Sequence, residues 1–455
     1  MARSITARTT DNNTSNSTTN DGGPATIALH GSAHHRAQRG PGEPLAGSII
    51  QSTSFRQSGV GDPVTHAYSR CSNPGVDELE AALGALEAAL PAVTFGTGLA
   101  AETALFFSVL KQGDHVVLGD CIYGGTTRLV QQLLAGLGIT HTFVPATDIE
   151  RLATAITPST KLVFIETPAN PTLVLTDVAA VARVCKARGV LLAVDNTFLT
   201  PVILRPLDLG ADICVYSTTK HIEGHGAALG GALVTRDAEL DKRFRFIRKS
   251  TGAIQSPLNA YLTLRGLRTL PLRLREHSAS ALRVAQWLER HHAVERVNYP
   301  GLSAFPQRAL AAQLHTTPFG ELHGGVLSFE LRGGVPAALA FLRAVRVCTL
   351  AEHVGSVESI VTHSATMTHA DVPREQRLAA GISDGLVRLS VGLEDVCDII
   401  ADLDAALSKV QAATEQVAQS AARHVQPALG PAVQTDVKTL TADTSGTLAE
   451  VGGVR

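Results

Sequence analysis

The chemistry most open to reading lies at Lys220. The apolar run DICVY (212–216) ends in Ser217-Thr218-Thr219-Lys220. Hydroxyls beside a lysine at a strand end can hold a phosphate, and a lysine there is a nucleophilic amine once burial or a cation lowers its pKa. Taken alone, it is also an ordinary surface lysine. VLLAV (190–194) ends in Asp195, a carboxylate that either meets a cation at a buried strand end or caps the loop that follows. KLVFI (161–165) runs into Glu166-Thr-Pro-Ala-Asn170-Pro, where two prolines stiffen the loop and Asn170 can aim an amide into a cleft. Gly96-Thr97-Gly98-Leu99-Ala100-Ala101 turns from a short strand into a helix whose first N–H groups suit a phosphate. The same six residues match a degenerate dinucleotide fingerprint, which keeps a nicotinamide-dependent dehydrogenase open as a remote reading. His221 and His225 are four apart, but the surrounding glycines oppose a helix and no third ligand is evident, so no metal is expected.

Together these residues describe one cofactor, built of a phosphate, a ring with a basic nitrogen and an aldehyde. Gly98, Leu99, Ser217 and Thr219 can hold the phosphate, and Asp195 can keep a pyridine nitrogen protonated. Tyr123, in the loop after HVVL (115–118), can stack on the ring, and Lys220 can form a Schiff base. Pyridoxal 5'-phosphate requires this set.

The elements needed to position them are legible. Short strands, apolar throughout, alternate with helices at 115–118, 141–144, 161–165, 190–194, 212–216 and 231–235. That pattern implies a mostly parallel sheet covered on both faces, with ligands beyond the carboxyl ends of its strands. Asp77 is expected to cap a helix that Pro91 stops, and 126–137 and 178–188 read as helices. From 257 a long helical stretch to 292 leads into separated strands at 324–331 and 385–391 and a final helix over 395–409. This is an α/β chain with a large mostly parallel-sheet domain and a smaller α+β C-terminal domain. The expected divisions are a disordered tail (1–24), an N-terminal arm (25–65), a large domain (66–256), a small domain (257–411) and a second tail (412–455).

Composition limits the partners. Of 455 residues, 39 are Lys or Arg and 41 are Asp or Glu, a net charge of -2 that gives no footprint for nucleic acid. No run approaches the ~18 apolar residues of a membrane span. The six cysteines form no CxxC pair and read as reduced, in a cytoplasmic protein.

The motifs, taken in order, resemble the pyridoxal-phosphate enzymes of cysteine and methionine metabolism. They are HAYSRCSNP (66–74), TGLAAETA (97–104), IYGGT (122–126), ETPANPT (166–172), VDNTFLTP (194–201), YSTTKHIEGH (216–225), RGLRTL (265–270), LAEHVGSVES (350–359), TMTH (366–369) and GISDGLVRLSVGLED (381–395). The resemblance implies a type I aminotransferase-like fold in a homotetramer built as a dimer of dimers. It implies that Lys220 is the Schiff-base lysine and proton shuttle, that Asp195 pairs with the pyridinium, and that Tyr123 stacks and activates the incoming amine. Gly98, Leu99, Ser217 and Thr219 would bind the phosphate, and Asn170 the ring hydroxyl. Tyr68 and Arg70 would bind the phosphate of a neighbouring subunit's cofactor. Arg388 would take the α-carboxylate of a small amino-acid substrate in a bidentate fork.

The reaction implied lies at the γ-carbon of cystathionine or an O-acylhomoserine, as in the cystathionine γ-synthases and γ-lyases. O-acylhomoserine sulfhydrylases and methionine γ-lyases are the alternatives. Glu352 suits the distal amino group of cystathionine or cysteine. Gly125 replaces the cysteine typical of the methionine γ-lyases, whereas GHGAALGG (224–231) leans toward the sulfhydrylases. His353 stands where the cystathionine enzymes usually have serine, and is expected either to titrate near neutral pH or to donate a hydrogen bond. Asn259, His221 and Ala67 also depart from the usual residues. A fold that kept its cofactor but lost turnover remains the blander reading.

Overall fold

In a strand, successive side chains face opposite sides of the sheet. The apolar runs use both sides. Val117, Val163, Ile165, Leu192, Val194, Cys214 and Val234 pack into one buried cluster. Their neighbours Val116, Leu118, Leu162, Phe164, Ala193, Val215 and Leu233 pack into another. The computed structural model describes residues 22–31, 42, 45–370 and 372–424. Residues through Thr414 belong to one compact unit and those from Glu415 to a second.

The first sheet has seven strands: β1 (Val93–Phe95), β2 (His115–Gly119), β3 (Thr140–Val144), β4 (Thr160–Glu166), β5 (Leu191–Asp195), β6 (Ile213–Tyr216) and β7 (Gly231–Thr235). Their order is β1-β7-β6-β5-β4-β2-β3. Strands β2 to β6 pair in parallel, and β7 runs antiparallel to both its neighbours. Among the helices are α1 (Pro24–His30), α2 (Pro74–Leu86), α3 (Gly98–Val109), α4 (Ile149–Ala155), α5 (Val178–Arg188), α6 (Ala238–Thr251), α7 (Pro257–Arg268), α8 (Leu270–Leu288), α9 (Gly334–Ala344) and α10 (Val396–His424). Helices α2, α5 and α7 cover one face, and α3 and α6 the other.

A second sheet contains β8 (Val294–Asn298), β9 (Val326–Leu331), β10 (Thr349–Leu350), β11 (Ile360–His363) and β12 (Leu386–Ser390), in the order β10-β11-β12-β9-β8. Its core is formed with α8, α9 and α10. Strand β12 is central, with Arg388 opposite Ser328 on β9 and Thr362 on β11. Among the described residues no helix is long and apolar enough to cross a membrane. All six cysteines are free thiols.

Local departures from the sequence reading have physical causes. Helix α2 begins three residues before Asp77. Asn73 is its cap, its side-chain oxygen accepting from Gly75 N at 3.0 Å, and Pro74 supplies a first residue whose φ is already helical. The helix ends at Leu86, well before Pro91. The stretch read as a helix over 126–137 opens as a short α-helix (Gly124–Arg128), widens to a π-helical segment (Leu129–Leu134) and tightens at Ala135–Leu137. The helical run from 257 breaks at Thr269 and ends at Leu288. Helix α10 continues into the expected second tail as far as His424, while 1–21 and 425–455 lie outside the described residues.

A buried ion cluster joins these layers. Glu80 on α2 accepts from Thr94 N (2.9 Å), Thr94 Oγ1 (3.0 Å), Arg245 Nη1 (2.8 Å) and Arg248. Burial acts to raise its pKa, but the two guanidiniums outweigh it and hold the carboxyl below its usual range.

Candidate active site

Strands β4, β5 and β6 lie side by side in parallel, so their carboxyl ends open together. Glu166 and Asp195, the last residues of β4 and β5, are register partners, and Lys220 follows four residues after β6. A cavity of about 420 Å³ lies there. Gly98, Leu99, Tyr123, Asn170, Asp195, Ser217, Thr219, Lys220, Glu352 and Arg388 line it.

Helix α3 presents its amino end to this cavity. The first N–H groups of a helix have no partner within it. Thr97 Oγ1 accepts that of Ala100 at 3.0 Å, while Gly98 and Leu99 border the cavity. A Cβ on residue 98 would lie 2.9 Å from the Ser217 side chain, so only glycine lets the helix start and the Ser217 loop form one cradle. The Thr219 hydroxyl is engaged twice with Gly230, accepting from its N–H (3.0 Å) and donating to its carbonyl (3.1 Å).

Lys220 is mostly buried. Burial first, and then the Arg388 charge, lower its pKa to about 8, with Glu352 opposing. Its Nζ lies 3.4 Å from His353 Nδ1. The loop behind it is tied down by Arg273 of α8, which donates to the carbonyls of His221 (2.8 Å) and Gly266 (2.7 Å). Asp195 Oδ1 accepts from Thr197 N at 2.9 Å. Burial raises the pKa of Asp195 and raises that of its neighbour Glu166 further, so the negative charge of the pair resides on Asp195. Glu166 Oε2 accepts from Tyr123 N at 2.8 Å, which sets the loop carrying that ring.

Arg388 is buried. It donates to Asn170 Oδ1 (2.8 Å), Thr362 Oγ1 (3.3 Å) and His353 O (3.4 Å), and its Nε has no partner. Among the described residues no carboxylate is paired with it. His353 is held down at about 4 by burial and by the charges of Lys220 and Arg388. It is therefore neutral at physiological pH, and the expectation of titration near neutrality fails for that reason. Tyr68 and Arg70 lie away from the cavity. Tyr68 is 45% exposed, Arg70 lies over its ring at 5.5 Å, and Arg70 Nη1 donates to Lys249 O at 2.7 Å.

The dinucleotide reading of Gly96–Ala101 fails on topology. A βαβ nucleotide unit needs adjacent parallel strands. Here β1 is an edge strand whose neighbour in the sheet is the antiparallel β7, and four strands separate it from β2. Sequence reasoning missed Glu102, Arg128 and Thr197, which also line the cavity, and Arg273 beneath it. The pattern TGLAAE, which sets the one charged residue of α3 a turn into the helix, was a readable signal for Glu102.

A helix-start cradle, a buried amine of lowered pKa and a carboxylate at the next strand end fit a phosphate, an aldehyde and a protonated ring nitrogen. The fold is that of a type I, pyridoxal-phosphate-dependent enzyme, and the cofactor is pyridoxal 5'-phosphate. The model of the Cys/Met metabolism PLP-dependent enzymes matches residues 25–408, and the chain belongs to that family. It is 40% identical over 385 residues to the cystathionine γ-lyase of Bacillus subtilis (strain 168), covering 85% of this chain and 99% of that one. It is 42% identical over 390 residues to the cystathionine γ-synthase of Mycobacterium bovis, covering 85% and 97%. The crystal structure of cystathionine γ-synthase from Xanthomonas oryzae pv. oryzae, in complex with aminoacrylate and cysteine, superposes with a TM-score of 0.80 at 41% identity, covering 86% and 99%. The chain is a trans-sulfuration enzyme catalysing γ-replacement or γ-elimination on a small amino-acid substrate.

Proposed function

We propose that the enzyme acts at the γ-carbon of cystathionine or an O-acylhomoserine, in the manner of a cystathionine γ-synthase or γ-lyase. The observation that carries this reading is Glu352, an exposed carboxylate on the wall of the same cavity as Lys220 and Arg388. A carboxylate there suits the distal ammonium of cystathionine or of an incoming cysteine, which methionine and sulfide lack. A Cβ on residue 125 would overlap the Tyr123 ring, so the cysteine typical of methionine γ-lyases would displace that ring from the position it holds here.

Bound pyridoxal phosphate supplies the electron sink that makes a substrate α-proton removable. The chain's own groups do the rest. Gly98, Leu99 and the Ser217 hydroxyl would hold the phosphate, with Thr219 shaping the loop through Gly230. Asp195 would hold a proton on the ring nitrogen, Tyr123 would cover the ring and Asn170 would reach its hydroxyl. Lys220 Nζ takes the α-proton, assists removal of the β-proton and returns a proton as the γ-substituent leaves. Arg388 anchors the α-carboxylate, and neutral His353 orients the Lys220 amine without adding charge.

A substrate panel tests this reading. Cystathionine, methionine, and O-acetyl- and O-succinylhomoserine with cysteine or sulfide are assayed for 2-oxobutyrate, cystathionine and homocysteine. The expected result is highest kcat/KM for reactions that contain cystathionine, with Glu352→Ala lowering those by about 3- to 5-fold, on the scale of one exposed charge pair. Turnover of sulfide or methionine would be little changed. Equal loss across the panel would discard Glu352 as the selector.

Tyr68 and Arg70, remote from their own cavity, are proposed to complete the site of a neighbouring copy within a homotetramer. Lys220→Ala and Arg70→Ala subunits, each inactive, should regain activity when dissociated and reassembled together. No recovery in a mixed oligomer would place both residues outside the site.

A further inference from the structure

Glu102 has no part in the account above, yet it is one of the least expected side chains in the protein. It sits on the second turn of α3 and is 3% exposed. It lines the cavity, and its Oε2 has no hydrogen-bond partner, the neighbouring Thr126 hydroxyl giving its charged form only slight support. A buried carboxyl with an oxygen left unpartnered is a costly feature. A leucine would fill the space without that cost. The groups that feel its charge are Asp195 from β5, Glu166 from β4 and Tyr123 from the loop after β2, all of them acids.

We propose that Glu102 is a positioning residue that acts through Asp195: it is a second carboxyl at the ring-nitrogen end of the cavity, and the charge it takes up governs how firmly that end holds a proton. Burial, and after it the Asp195 charge, push the Glu102 pKa up to about 8. At neutral pH it holds its proton and Asp195 alone is ionised. Above pH 8 it becomes a second anion beside Asp195, and the two together favour a protonated ring nitrogen more strongly than Asp195 alone. The proposal rests on the assignment of Asp195 to that nitrogen.

The sign of the linked stability change follows. An acid whose folded pKa is raised weakens the fold as pH climbs from its unfolded value of 4.5 toward 8. The apoprotein of Glu102→Gln should therefore melt higher than wild type at pH 9, by about 2 °C or more, and the gain should vanish at pH 4.5 and below. Asp195→Asn should also gain at pH 9. The double variant should gain clearly less than the sum, because either change alone removes the repulsion. In the holoenzyme, Glu102→Gln should move the alkaline midpoint of the cofactor's visible absorption downward by several tenths of a pH unit. Glu102→Asp should keep most of the wild-type behaviour, and Glu102→Leu serves as a second neutral variant.

Additive melting shifts at pH 9, or visible titrations identical in wild type and Glu102→Gln, would overturn the proposal. A wild-type cofactor spectrum in Asp195→Asn would remove the ring-nitrogen assignment and the proposal with it. Subadditive melting in the apoprotein would still stand in that case, so the two failures are told apart.

Discussion

Lys220→Ala is expected to lower kcat/KM by about 10⁴-fold, the upper end of what one positioned base contributes, and to yield a protein that no longer traps its cofactor on borohydride reduction. The amine sits where two of its properties can be used at once. Burial and the Arg388 charge bring its pKa from 10.5 to about 8, so a large fraction is the free nucleophile at slightly alkaline pH. The neutral imidazole of His353 lies 3.4 Å away and leaves that balance uncharged. A covalent cofactor adduct retained in the alanine variant would end the assignment.

The same lowered pKa makes a stability prediction of opposite sign. Below about pH 8 the lysine is charged in both folded and unfolded chains, and the folded state bears the whole cost of burying that charge. Between about 8 and 10.5 the folded state sheds its proton first, so stability rises with pH through that window. A fall from 10.5 to about 8 corresponds to about 3 kcal/mol. The apoprotein of Lys220→Met should thus be more stable than wild type at pH 7, with the advantage fading toward pH 10.5. Calorimetry on apoprotein across that range is the check. A constant difference at every pH would mean that packing, not charge, separates the two.

The contrast between what the residues disclose in one dimension and what they do not is physical. Asp195, Lys220 and the cradle at Gly98 were readable because each ends or begins an apolar element, and parallel sheets bring such ends together. Glu102, although the one charged residue of α3, was not singled out because an acid inside a helix ordinarily reads as a solvated position. Arg273 was missed because it works on backbone carbonyls, and no side-chain pattern marks those. The second sheet was only partly legible. Strand β10 is two residues long, β11 four, and β8 carries Glu295 and Arg296 on its exposed part, so none shows a run of apolar residues. Strand β8 pairs with β9 and β11 with β12, both of which were read, and β10 pairs with β11.

Arg388 should give the second large effect. Its guanidinium lies on central strand β12, buried, with Asn170, Thr362 and the His353 carbonyl all acting as neutral acceptors. Burial lowers its pKa to about 10, with Glu166 and Glu352 opposing from a distance, so it stays charged at physiological pH. A buried cation with an unpartnered Nε is an incomplete arrangement that a substrate α-carboxylate would complete in a bidentate fork. Lysine can offer charge there but not the fork. Arg388→Lys is therefore expected to lower kcat/KM by about 10²- to 10³-fold, since hydrogen bonds between charged partners and broken buried pairs each cost a few kcal/mol. A carboxylate-free amine analogue separates this role from general disruption. Wild type should bind the amino acid at least about 100-fold more tightly than the amine, as read from the cofactor's absorbance, because the amine leaves Arg388 unpaired. In Arg388→Ala the amino acid loses that advantage while the amine loses little, so the gap should shrink to a few-fold. A gap that survives unchanged in the variant would place the carboxylate elsewhere in the cavity and leave Arg388 as a structural cation tying β12 to the Asn170 loop.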